Sequence, residues 1–282
     1  MALLKNKPIA VLADDDGGPV IITYSDLQKR FRFAVYNPLN AFTELPKILR
    51  ELSEGQATIL AEQKRAADSE LRLPPSDGCK QNGPWLLDCV KPVVNLGLDF
   101  GGPAGIACSD GSPRINETKE EFRSYIDKVS GQSQLVGESW AAIMTPCTAW
   151  HARPAYRYDG NFTNDPAHPI LYIADTVDPA TPLPNAFKMA ERSKRASILH
   201  QKSEGHCSHA APSMCTGRAI RRYFQEGGVA SESEDMHVQS CRPDRKPFDG
   251  YTGEHEPALP KGETDEALWR ALVGINRGWH DW

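Results

Sequence analysis

The sequence predicts an α/β chain built on a parallel sheet, and three observations carry that prediction. Pro169-Ile170-Leu171-Tyr172-Ile173-Ala174 is a continuous apolar run bounded by turn residues, as expected of a strand buried on both faces. Ala196-Ser197-Ile198-Leu199-His200 is a second strand-like segment, closed by Glu204-Gly205-His206. A helical segment follows each of them, Asn185 to Arg195 and then Cys215 to Phe224, the latter stopped by Gly227-Gly228. Strand, helix, strand, helix at this spacing is a βαβα unit, whose strands lie parallel.

The chain has 282 residues, enough for one large domain or two small ones. Lys and Arg number 32 against 37 Asp and Glu, so the formal charge is −5. That mild acidity argues against a nucleic-acid binder, which needs a basic patch or stripe. No stretch approaches the roughly 20 apolar residues of a membrane span.

From the N-terminus, residues 20–63 read as helical with one break. Thr23-Tyr24-Ser25-Asp26 suits a helix entry, Leu27, Phe31, Phe33 and Val35 follow, and Tyr36-Asn37-Pro38 stops it. Leu45, Ile48, Leu49 and Leu52 recur at three- and four-residue spacings, as one helix face requires. Gly55 ends this second helix, and a charged segment with Lys64, Arg65 and Asp68 comes next. Residues 71–105 are rich in Pro and Gly and read as irregular. Ile106 to Gly111 reads as a short strand ending in a turn. Residues 117–135 form a polar helix carrying Phe122, Tyr125 and Val129, and Trp140 to Met144 is an apolar run before Cys147 and Trp150. After residue 229 the sequence is polar and poorly periodic until a terminal helix over Asp265–Val273.

Seven cysteines are present: Cys79, Cys89, Cys108, Cys147, Cys207, Cys215 and Cys241. No CxxC pair occurs, which argues against a zinc ribbon or a thioredoxin-type motif. Cys79 and Cys89, ten apart, are placed to close a local staple. Asn116-Glu117-Thr118 and Asn161-Phe162-Thr163 are glycosylation sequons. Together with the cysteines they lean toward an oxidising, secreted setting. The first residues, Met-Ala-Leu-Leu-Lys-Asn-Lys-Pro, lack the roughly 7–15-residue apolar stretch of a signal peptide. One resolution is that the natural start lies upstream.

The chemistry concentrates in two loops. Asp178 lies just past the carboxyl end of the first expected strand, and His206 just past the end of the second. Ligand sites of open α/β sheets lie at these ends. An acid followed by a histidine matches the order Ser, Asp, His of one hydrolase architecture, in which the carboxylate fixes the imidazole that activates a serine. Asp175 is a second candidate acid, but its place at the strand end suits a cap. Ser208 and Ser213 share the loop of His206, whereas a nucleophile sits on a separate strand-to-helix turn. His206-Cys207-x-His209 fits no zinc spacing, so no metal is expected. His151, His168, His200, His237, His255 and His280 read as surface or packing residues.

These residues resemble a known family. Pro169 through Asp178-Pro179-Ala180-Thr181-Pro182 is similar to the tripeptidyl-aminopeptidase-like C-terminal region of serine α/β-hydrolases. Gly205-His206-Cys207-Ser208, Ser213-Met214-Cys215, Ala219-Ile220, Tyr223-Phe224, Gly228, Cys241 and Pro247-Phe248 continue the match. Ala107-Cys108-Ser109-Asp110-Gly111 and Cys147-Thr148-Ala149-Trp150 extend it upstream, in the style of fungal secreted members. The resemblance covers roughly residues 20–250.

It implies a partial α/β-hydrolase fold, the last strands of the parallel sheet, with a mostly helical lid region. The implied division is lid over 1–105, hydrolase domain over 106–250 and a tail with a short helix over 251–282. Asp178 and His206 take the family's acid and base roles, and no cofactor is implied. Cys215 and Cys241 match family cysteines and are implied to pair. Cys108–Cys147 and Cys79–Cys89 are further candidate pairs that leave Cys207 over, and connectivity is open from sequence, buried free thiols included. The family's Gly-x-Ser-x-Gly elbow and an early His-Gly-Gly segment are both missing from the sequence. The chain therefore reads as the C-terminal half of a secreted serine peptidase, without acyl-transfer activity as it stands. Its substrate would be a peptide or a small ester or amide once the serine half is supplied. The alternative is a non-catalytic, degenerate homologue acting as a binding or interaction module. Two or three strands of a larger sheet leave an open edge, so low solubility alone, or a partner supplying strands, is expected.

Overall fold

The computed structural model describes residues 2–12, 18–71, 101–158, 160–163, 165–227, 236–248 and 262–278. Cys79, Cys89 and most of the Pro- and Gly-rich stretch lie outside them. The chain divides into two compact units, Met1–Phe31 with Ile48–Arg157, and Arg32–Lys47 with Tyr158–Trp282.

In the first unit, Ile9–Val11 (β1) and Val20–Ile22 (β2) pair antiparallel. Residues 20–22 are thus strand rather than the start of a helix; helix Tyr24–Tyr36 begins after the Asp26 carboxylate caps Thr23, accepting from its N–H at 2.8 Å and its hydroxyl at 2.7 Å. The periodic segment forms helix Leu45–Ser53, and helix Thr58–Leu71 follows. Gly101–Asp110 is a helix, which corrects the strand expected at 106–111. Short apolar runs do not distinguish the two. Here Ala104 and Cys108, four apart on one helix face, pack with Cys147, Met144 and Trp150, and Cys108 is disulfide-bonded to Cys147. Helix Lys119–Gln132 opens on a capping box, Thr118 Oγ1 accepting from Glu121 N while Glu121 accepts from Thr118 N. Helix Gly137–Met144 follows.

The second unit holds the parallel sheet. Leu171–Val177 (β3), Ser197–Glu204 (β4) and His237–Cys241 (β5) pair in the order β3-β4-β5, all parallel. Adjacent side chains of β4 point to opposite faces. Ile198 packs with Tyr172, Phe187, Ala190 and Ala196, while Leu199 packs with Leu171, Ala219, Ile220 and Cys241. Helix Leu183–Ala190 therefore covers one face and helix Met214–Glu226 the other. The central strand β4 is buried continuously over Ser197, Ile198 and Leu199, as expected of a parallel sheet, and then alternates, Gln201 and Ser203 buried and Lys202 and Glu204 exposed. β3, at the edge of the sheet among the described residues, lacks such continuous burial: Ile173 is 39% and Val177 58% exposed. β5 lies where no strand was expected; its only buried side chain is Cys241, disulfide-bonded to Cys215. Ser213 caps helix Met214–Glu226 by accepting from Thr216 N, and Gly227, at φ 76°, ends it in the left-handed conformation. Helix Glu263–Gly278 closes the described chain.

Candidate functional site

Asp178 and His206 leave the carboxyl ends of adjacent parallel strands and meet. His206 Nδ1 lies 3.0 Å from Oδ1 and 3.1 Å from Oδ2 of Asp178. The local sequence explains why this carboxylate is fixed. Pro179 has no N–H, so the next available donors are Ala180 N and Thr181 N, and both reach Oδ1 at 2.8 Å. Oδ2 accepts from the Thr181 hydroxyl at 2.8 Å and from Cys207 N at 3.0 Å. Burial pushes the Asp178 pKa up, but the backbone donors of Thr181, Cys207 and Ala180 and the Thr181 hydroxyl outweigh it. The carboxyl is therefore held below its ordinary value, as a fixed anion.

The turn carrying His206 is equally constrained. Gly205 adopts φ 111°, and a Cβ there would lie 2.7 Å from Ala210 Cβ and 2.8 Å from Pro38 Cδ. His206 N donates to Tyr36 O at 2.9 Å, and the Tyr36 ring stands edge-on to the imidazole, centroids 4.8 Å apart. Cys207 follows at φ 64° and ψ 158°, a region nearly reserved to glycine and costing about 1–3 kcal/mol. That conformation aims its N–H at Asp178. Gly205→Ala is expected to lower stability by about 1–3 kcal/mol through overpacking, with further cost from its φ, and to broaden the His206 imidazole signals in NMR spectra. A wild-type melting curve for this variant would contradict the turn described.

The Cys207 sulfur lies 3.5 Å from His206 Nε2 and 3.6 Å from Nδ1. Near-equal distances to both nitrogens place it off the lone-pair direction of either. Burial, then the negative charges of Asp178 and Asp175, raise this thiol to about 11. It is protonated at neutral pH and is a poor nucleophile. Asp178, His206 and Cys207 bring ligand atoms within 4.8 Å of one another, a donor set with the chemistry of a zinc site. Their groups are committed to each other as described, however, and the thiol would have to lose its proton. No serine hydroxyl among the described residues is hydrogen-bonded to His206. Ser213 instead caps a helix and donates to Arg242 O at 2.7 Å.

Sequence reasoning brought Asp178 and His206 together but misplaced Asp175. It does not cap a strand end; it lies within β3, fully buried. Burial, with help from the Asp178 charge, raises its carboxyl to about 7, only partly opposed by the Ser203 hydroxyl. Gln201 and Ser203, also fully buried, went unnoticed. Their alternation along β4 was the available signal, two polar side chains on one face of a strand.

No helix among the described residues is long and apolar enough to cross a membrane. No curated protein and no solved structure matches the chain. One family model does, that of the TAP-like proteins, over residues 133–235, a span that contains both Asp178 and His206. Residues 133–235 are thus similar to a TAP-like domain, and the parallel sheet with its helices is consistent with a partial α/β-hydrolase fold.

Proposed function

We propose that Asp178 and His206 are the acid and base of a Ser–His–Asp hydrolase whose serine is carried on polypeptide outside this sequence. The observation that carries the reading is the contact of His206 Nδ1 with both Asp178 oxygens. A carboxylate so placed keeps the proton on Nδ1, turns Nε2 into the base and stabilises the imidazolium formed when a serine is deprotonated. The substrates would be peptides cleaved near the N-terminus, or related esters and amides. No cofactor has a role in this chemistry, and neither nucleic acid nor a membrane is a partner. The disulfides Cys108–Cys147 and Cys215–Cys241, with the sequon asparagines Asn116 and Asn161, support a secreted glycoprotein.

A serine-directed fluorophosphonate tests the reading. The purified 282-residue chain is expected to remain unlabelled, and a strand-supplying partner with the missing serine to become labelled in a His206-dependent manner. Labelling of this chain alone, abolished by His206→Ala, would place the nucleophile within it and end the proposal. The exposed edge of β3, with Ile173 and Val177, favours a second reading, a non-catalytic module that docks a partner strand. Partner binding without acquired labelling would select it.

A further inference from the structure

Beneath the pair lies a polar cluster that the hydrolytic reading does not use. In the β3–β4 register Asp175 stands beside Gln201, and Ser203 follows two residues on along the same strand. All three are fully buried. The Gln201 amide nitrogen lies 2.9 Å from each of three acceptors, Ser203 Oγ, Ser208 O and Ala211 O. The last two belong to the loop that follows His206, so this amide ties that loop to the sheet.

The remaining atoms do not balance. Neither oxygen of Asp175 meets a donor in hydrogen-bonding geometry among the described residues, the Ser203 hydroxyl being near enough to favour the anion without meeting that geometry, and nor does Gln201 Oε1. Turning the Gln201 amide over is no remedy, because its oxygen would then face two carbonyls. Three buried acceptors without a donor are costly, and native interiors avoid them. One extra proton removes the deficit. We propose that Asp175 is a neutral acid in the folded protein, donating its proton to Gln201 Oε1 and so locking the amide that holds the loop after His206. Ser203 Oγ, which accepts from Gln201, has its own proton to offer the other carboxyl oxygen. Every member then has a partner, and no second anion stands beside Asp178.

The titratable groups that act on Asp175 are Asp178 and Glu204, both carboxylates that oppose its ionisation, and its own charge would in turn bear on the Cys207 thiol. Its carboxyl is raised to about 7, above the unfolded value, so the native state keeps a proton that the unfolded chain releases. The resulting stability is complete below the ordinary carboxylate range. It declines as pH rises toward 7, and above that the decline is complete. Asp175 is thus a positioning residue for His206, and this consequence rests on the proton-relay reading, whereas the Asp175–Gln201 link does not.

The wild-type full chain, labelled with ¹³C at aspartate carboxyls, tests the link, with a variant needed only for assignment. The Asp175 resonance, assigned by its loss in Asp175→Asn, is expected in the acid form at pH 6 and to convert near pH 7. An Asp175 already ionised at pH 6 overturns the proposal. The carboxamide introduced by Asp175→Asn would supply the same donor and acceptor without charge. That variant is therefore expected to melt independently of pH where wild type loses stability between pH 5 and 7. Equal slopes for the two also overturn the proposal. The downfield Nδ1 proton of His206 reports the Asp178 pair separately. It should persist in Asp175→Asn and broaden in Asp175→Ala. Its absence from wild type counts against the relay while the carboxyl titration still decides the link. A signal equally sharp in both variants refutes the positioning role.

Discussion

Asp178→Asn is expected to lower kcat by about 10⁴-fold in the enzyme completed by its serine, with KM little changed. Asparagine would turn an amide N–H toward His206 Nδ1, forcing that nitrogen to accept and leaving the proton on Nε2, where the base is needed. The variant has a second readout that needs no serine. Besides His206, four donors converge on this carboxylate, two on each oxygen. Whichever way the amide is placed, its NH₂ group faces donors instead of accepting from them. One or two buried hydrogen bonds are lost, about 1–3 kcal/mol each. Chemical denaturation of the 282-residue chain measures this, and a stability within about 0.5 kcal/mol of wild type, the range typical of exposed surface sites, would show that the carboxylate is not embedded as described. Because the Asp178 pKa is depressed, its contribution is present above the ordinary carboxylate value and lost as pH falls through the folded one. Asp178 and Asp175 therefore bend the pH–stability profile in opposite senses.

Removing the Cys215–Cys241 disulfide is expected to destabilise the second unit by about 3–4 kcal/mol, the chain-entropy value for a loop of this size. The bridge spans 26 residues and joins the first turn of helix Met214–Glu226 to the last residue of β5. β5 has little else to hold it: His237, Val238 and Ser240 are exposed, and Cys241 is its only buried side chain. Cys215→Ala/Cys241→Ala should lower Tm and raise hydrogen exchange at β5 well before it does so at β4. Uniform exchange along both strands, or an unchanged Tm, would mean that the ladder alone retains the edge. Cys108–Cys147 lies in the other unit and serves as an internal control, since its removal should leave β5 protected.

The same contrast explains what the sequence revealed. β4 was legible because Ile198 and Leu199 are buried on opposite faces, giving an unbroken apolar core that pattern reading detects. β5 was not, because a strand holding one buried cysteine has no period to read. Residues 106–110 were misassigned because four apolar or small residues suit either a strand or a helix. Only the packing of Ala104 and Cys108 on one side settles the matter. β3 was identified as a strand but not as an edge, since exposure of Ile173 depends on a neighbour that lies elsewhere in the chain. At the site, Asp178 and His206 were legible by position, one residue past β3 and two past β4. The protonation of Asp175 was not, because it follows from which donors the fold brings near it, and residue type alone carries no such information.

The ladder between β3 and β4 slips by one residue, so that Asp175 faces Gln201 while Val177 faces Glu204. An extra residue of this kind bends a strand and tightens its twist. Here it also acts as a phase corrector. Side chains alternate with a period of two, so one surplus residue reverses the side from which everything downstream emerges. The surplus residue falls just before the Gly205 turn that carries His206, so the length of β4, as well as its composition, sets where that loop begins relative to Asp178.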